Sequence, residues 1–194
     1  MKMNVPNQLT MLRMLLIPAF IACFLYIESP LISALVACGV FILASITDFL
    51  DGMIARKFNL VTNFGKFMDS VADKALVFSA FLLICAKVEA LDGIMIWTTA
   101  IVFIRELGVT SIRLVCASSA GKVIAANMFG KLKTVTQMTS IIVILIEYAL
   151  IESGTFTLTA YIPSFVLIIL MTIMTVASGI SYLKTYLPYI NSNN

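Results

Sequence analysis

Histidine is absent from this chain of 194 residues. The commonest general base is therefore missing, and acid or base chemistry must fall to carboxylates, lysines or tyrosines. Cysteine is scarce too. Cys23, Cys38, Cys85 and Cys116 stand far apart in apolar runs, with no Cys-x-x-Cys pair. That spacing, without histidine, completes no zinc site, and the four thiols read as small core or lipid-facing residues. Charged residues are only 12% of the chain against 61% hydrophobic, and the mean hydropathy is +1.05. A soluble domain keeps its apolar fraction near one half, so this chain reads as an integral membrane protein. The net charge of +3 leaves no footprint for a nucleic acid.

What is present is a series of long apolar runs. A helix crossing a bilayer needs about 20 mostly apolar residues, and six candidates fit: 9–27, 31–55, 66–87, 92–114, 132–151 and 161–184. The chain is thus predicted to be all-α, a single integral-membrane domain over 1–194 with six transmembrane helices. The first run follows Lys2, but Arg13 interrupts it and no small-x-small cleavage site precedes Glu28. It is expected to be a retained span rather than a cleaved signal. Ser29-Pro30, Asn59 to Asn63 and Ser118 to Gly130 supply breakers between runs. With both termini on the cytoplasmic side, every Lys and Arg except Lys87 falls on that side, while Glu28, Glu89, Asp92, Glu147 and Glu152 collect opposite. The positive-inside rule therefore orients the chain.

Against this background one segment is unusual. Thr47 to Lys74 contains Asp48, Asp51, Asp69 and Asp73, out of only 10 acidic residues in the chain. Asp48 and Asp51 are three apart, and Asp69 and Asp73 four apart, so each pair shares a helix face. The second run ends where the third begins, which aims all four into one cytoplasmic pocket. A lone aspartate at a helix end is ordinarily a cap. Four together repel one another, and at membrane depth each costs up to about 3 kcal/mol. A carboxylate cluster without histidine or cysteine is the ligand set of hard cations such as Mg²⁺, Mn²⁺ or Ca²⁺. Two divalent ions held by four aspartates would neutralise it and leave positions open for phosphate oxygens, as in phosphoryl transfer. The competing reading is a cation or proton transporter, which calls for carboxylates distributed across the membrane; here only Glu147 lies deep elsewhere.

Asp48, Asp51-Gly52, Ala55-Arg56, Gly65, Asp69 and Asp73 match D-x2-D-G-x2-A-R-x8-G-x3-D-x3-D at every fixed position. The segment resembles the signature of the CDP-alcohol phosphatidyltransferases, a family whose six-helix membrane fold agrees with the runs above. The resemblance implies transfer of a phosphatidyl group from CDP-diacylglycerol to an alcohol, with release of CMP. It implies a site of two divalent cations, Mg²⁺ or Mn²⁺, on Asp48, Asp51, Asp69 and Asp73, with Asp73 also the general base. Gly52, Ala55, Arg56 and Gly65 correspond to positions around the cytidine diphosphate. Arg56 suits a phosphate through its fork of donors. Members of this fold are commonly homodimers, and that too is expected by resemblance.

The acceptor is sought in the basic residues. Asn7 to Arg13, "NQLTMLR", is similar to the N-x-L-T-x-x-R opening of bacterial phosphatidylglycerophosphate synthases, which use glycerol 3-phosphate. "REL" at Arg105, Arg113 and "GKLKTVTQM" from Gly130 resemble the same branch, whereas Ser70-Val71-Ala72 stands where it commonly has Pro-Leu-Ala. Thr10, Arg13, Arg105, Arg113, Lys131 and Lys133 are the expected site for the acceptor's phosphate. Arg105 lies within the fourth run, where an arginine needs a partner or a polar cavity. The alternative is a cardiolipin synthase of the same fold, taking phosphatidylglycerol, or another member of the family with a different acceptor alcohol such as inositol phosphate.

Overall fold

The computed structural model describes residues 4–58, 60, 62–120, 128–154 and 161–191. Lys2, Lys122, parts of the breakers at Asn59 and Ser118 to Gly130, and the side chain of Cys116 lie outside the described residues. The chain is all-helical: α1 Val5–Tyr26, α2 Pro30–Lys57, α3 Asn63–Lys87, a short 3-10 turn Glu89–Leu91, α4 Asp92–Ala120, α5 Met128–Glu152 and α6 Ile162–Asn191.

The starts of the helices are set locally. Pro6 and Pro30 sit in the first turns of α1 and α2, where a missing N–H costs nothing. Thr62 caps α3, its hydroxyl accepting from the Gly65 N–H at 2.9 Å. The start of α6 is capped from another helix: Glu147 of α5 accepts from the Ser164 backbone N–H at 2.9 Å and from its hydroxyl. An anionic group there satisfies an orphan donor and faces the positive end of the helix dipole. Glu147→Leu should therefore lower thermal stability by about 1–3 kcal/mol, read by melting in detergent, while the catalytic rate per folded molecule stays unchanged.

Successive helices run antiparallel and close into a ring. α1 packs on α2 and α3, α2 on α5, α5 on α6, α6 on α4, and α4 on α3. Ala34, Ala37 and Ala44 of α2 are fully buried, and such small residues let membrane helices approach closely. Phe20 meets Phe41 at 5.9 Å, and Phe24 meets Tyr148 edge-on at 5.6 Å, locking α1 to α2 and α5. Leu15, Trp97, Ile104 and Ile173 point outward, the surface expected of a protein whose solvent is lipid.

Five of these helices, all except α3, are long and apolar enough to cross a membrane, and the chain is a multi-pass membrane protein. The remaining expected span, α3, does not meet that test over the described residues. This helix carries Lys66, Asp69, Asp73 and Lys74, and the charge-free run from Lys74 to Lys87 covers only about 18 Å, short of a hydrocarbon layer of about 30 Å. Its polar first half instead joins the end of the bundle where α1 and α5 begin and α2, α4 and α6 approach their ends. Lys87 marks the opposite end, donating to the Phe24 carbonyl at 2.6 Å.

Candidate active site

Two polar centres lie side by side at the charged end. The first is built by α1, α2 and α3. One carboxylate oxygen from each of Asp48, Asp51 and Asp69 lies within 4.8 Å of the others. Arg13 of α1 enters among them: Nη1 is 2.6 Å from Asp48 and 2.9 Å from Asp69, and Nη2 is 2.5 Å from Asp51. Thr10, three residues earlier on the same face, has its hydroxyl 3.1 Å from Asp51 Oδ2. Arg13 is wholly buried, and its Nε has no partner among the described residues. Three carboxylates against one guanidinium leave a formal excess of two negative charges. An all-oxygen set with that excess is suited to a hard divalent cation.

A cavity of about 260 Å³ opens beside this cluster, and Asp51, Asp69 and all four residues expected around the nucleotide, Gly52, Ala55, Arg56 and Gly65, line it. Arg56 and Lys66 supply its positive charge. The two glycines differ. A Cβ at Gly52 would touch only Arg56 Nη2, at 3.6 Å, so nothing in the protein itself fills the space there. At Gly65 a Cβ would lie 2.5 Å from Asn7 Oδ1 and 2.9 Å from Thr62 Oγ1. Gly65→Ala should therefore push Asn7 and the α3 cap into the cavity, lowering kcat/KM for the nucleotide lipid roughly 10- to 100-fold. Gly39→Ala, with nothing within 4 Å of the added atom, is the matched control and should retain wild-type kinetics.

The second centre is built by α3, α4, α5 and α6. Asp73 was expected in one pocket with the other aspartates. It lies one turn beyond Asp69 and lines a separate, smaller cavity with Lys74, Glu106, Lys133, Thr134 and Gln137. Glu106 Oε1 accepts from Arg105 Nη1 at 2.9 Å and from Lys133 Nζ. Arg105 also donates to Ser178, and Arg113 donates to the Tyr182 hydroxyl at 2.7 Å. Both guanidiniums lie over the Tyr182 ring, at 5.4 and 5.1 Å. Arg105 thus has the partners its depth requires.

The six residues expected around an acceptor phosphate are consequently divided. Arg105, Arg113 and Lys133 gather at the second centre, Thr10 and Arg13 belong to the aspartate cluster, and Lys131 is exposed at the start of α5. Thr62 and Gln137 were not singled out as site residues from the sequence, Asn7 was read only as the first fixed position of the opening motif, and Glu106 only as a local partner of Arg105. Gln137 was within reach, since it follows Lys133 by four residues on one helix face.

The profile of the CDP-alcohol phosphatidyltransferases matches residues 3–182. The chain is 42% identical over 154 residues to the CDP-diacylglycerol--glycerol-3-phosphate 3-phosphatidyltransferase of Bacillus subtilis (strain 168), covering 74% of this chain and 77% of that one. It is 34% identical over 186 residues to the protein of the same name from Rickettsia typhi (strain ATCC VR-144 / Wilmington), covering 96% of this chain and 98% of the relative. It is also 39% identical over 152 residues to the cardiolipin synthase (CMP-forming) of Oryza sativa subsp. japonica, 74% of this chain but 46% of that one. A match of this length, with the signature residues drawn around one cavity and its neighbour, means that the chain belongs to the CDP-alcohol phosphatidyltransferase family.

Proposed function

We propose that the protein transfers the phosphatidyl group of CDP-diacylglycerol to glycerol 3-phosphate, giving phosphatidylglycerol phosphate and CMP, at the cytoplasmic face of the cell membrane. The observation that carries this reading is the placement of Asp73 between the carboxylate cluster and a cationic centre of Lys133, Arg105 and Arg113. A nucleotide lipid would be held on one side and a phosphorylated acceptor on the other. Near-complete alignment with the Rickettsia typhi relative supports the choice of acceptor.

Gly52, Ala55 and Gly65 leave room for the cytidine diphosphate, and Arg56 and Lys66 pair with its phosphates. Asp48, Asp51, Asp69 and Asp73 would hold two divalent cations, Mg²⁺ or Mn²⁺. When bound, these neutralise charge on the diphosphate and on the departing CMP. Lys133, Arg105 and Arg113 exchange Glu106 and Tyr182 for the acceptor's phosphate. Asp73 takes the proton of the acceptor hydroxyl. The freed oxygen attacks the phosphorus bearing the diacylglycerol, a new P–O bond forms, and the bond to CMP breaks with its electron pair leaving on CMP. No side chain becomes covalently modified. Residues 1–194 form one catalytic domain, the protein works as a homodimer and both termini lie in the cytoplasm.

The test is an acceptor panel. Purified protein with Mg²⁺ or Mn²⁺ and CDP-diacylglycerol should release CMP on addition of glycerol 3-phosphate, and chelation by EDTA should stop it. Release only with phosphatidylglycerol, the acceptor suggested by the likeness to the rice cardiolipin synthase, would replace this assignment, as would release only with inositol phosphate.

A further inference from the structure

Gln137 is 2% exposed, and its side-chain Nε2 has no hydrogen-bond partner among the described residues. Buried amide donors are almost always paired. This one lines the small cavity that also holds Asp73, Glu106, Lys133 and Thr134. The free volume there is about 10 Å³, close to the room one water oxygen needs. The cavity therefore offers a donor, Gln137 Nε2, and an acceptor, the Asp73 carboxylate, to a small oxygen-bearing group.

Position along α5 says which group. Lys133 and Gln137 share a face, with Gln137 one turn deeper, about 6 Å along the axis. The cavity as it stands admits one oxygen. An acceptor whose phosphate displaces Glu106 from Lys133 and Arg105 takes the room Glu106 leaves for its short carbon chain, and reaches Asp73 and Gln137 with its far end. Resting on the function proposed above, we infer that Gln137 and Asp73 form a subsite for vicinal hydroxyls. Asp73 receives the proton of the attacking hydroxyl, and Gln137 donates to the oxygen of its neighbour, fixing which hydroxyl reacts. The ligand class is a polyol monophosphate with adjacent hydroxyls at the end remote from the phosphate. An amino alcohol or a simple hydroxyalkyl phosphate leaves Gln137 unpaired.

The experiment compares glycerol 3-phosphate with 3-hydroxypropyl phosphate, which lacks only the middle hydroxyl, in wild-type protein and in Gln137→Leu, by CMP release. A buried group left unpaired rejects the deficient ligand strongly. Wild type should prefer the diol by about 100-fold or more in kcat/KM. Gln137→Leu should shrink that preference at least about tenfold by losing rate on the diol, with KM for CDP-diacylglycerol unchanged. Gln137→Asn, which keeps the amide and serves if the leucine variant does not elute as a folded species, should give an intermediate preference. An unchanged ratio in a folded variant, or equal losses on both acceptors together with a raised KM for the nucleotide lipid, would overturn the inference while leaving the proposed function standing. Wild-type protein inactive with glycerol 3-phosphate would overturn both.

Discussion

Asp73→Asn should lower turnover by about a thousandfold or more, within the range that a positioned general base supplies. The substitution keeps the shape of the side chain and removes its capacity to take a proton. No histidine exists to substitute for it, and the other acidic group lining its cavity, Glu106, is engaged by Arg105 and Lys133. Because Asp48, Asp51 and Asp69 still converge on Arg13 without it, and asparagine keeps an oxygen that can face a cation, the variant should keep its fold and still bind the nucleotide lipid. Initial rates of CMP release give the first quantity, and the thermal shift on adding CDP-diacylglycerol gives the second. A rate near wild type would remove Asp73 from the role of base. A lost thermal shift would mean that the side chain is needed for binding.

The second large effect concerns Arg13. Removing one partner of a buried ion pair strands the other charge, at a cost of roughly 3–5 kcal/mol. Here a single guanidinium serves three carboxylates, of which Asp51 is itself almost fully buried. Arg13→Gln should therefore be destabilised by about that amount when melted in EDTA, and added Mg²⁺ should recover part of the loss by binding the folded state. Arg13→Lys should recover little, because a single ammonium does not reproduce the planar fork that reaches three oxygens at once. The double variant Arg13→Gln/Asp51→Asn provides the internal check. Removing the buried carboxylate as well should restore at least half of the lost stability, a coupling expected only of contacting groups. Simple additivity would show that Arg13 contributes through packing rather than charge.

Much of this site is written in local spacing. The pairs Asp48/Asp51 and Asp69/Asp73 share faces by helical periodicity alone, and the break between α2 and α3 brings their ends together. That was enough to place Asp48, Asp51 and Asp69 in one cluster, whereas Gly52, Ala55, Arg56 and Gly65, which line one cavity, were singled out by the likeness to the family signature. Spacing did not say which neighbours the Asp73 end of the α3 face would meet. That depends on the order of helices in the ring, with α4 beside α3 and α5 beside α2, and such pairings are fixed by packing far apart in sequence. Arg13 shows the same limit. It was expected at the acceptor's phosphate by resemblance, and its ion pairs with the aspartates follow from α1 lying against both α2 and α3. For α3 the reason is simpler: its four early charges shorten the apolar run, so it does not meet the test of length and apolarity that the other five helices pass. For Gly65, the signature indicated a glycine, while the steric cause lies in Asn7, on another helix.

The most direct measurement follows the acceptor's own atoms. Protein reconstituted in liposomes containing CDP-diacylglycerol and Mg²⁺ is given isotopically labelled glycerol 3-phosphate, and lipid and aqueous phases are separated and analysed by mass spectrometry. The account predicts label in phosphatidylglycerol phosphate, matched mole for mole by CMP and absent with Asp73→Asn. Wild-type protein that leaves all label in the aqueous phase while releasing CMP to another alcohol would contradict it.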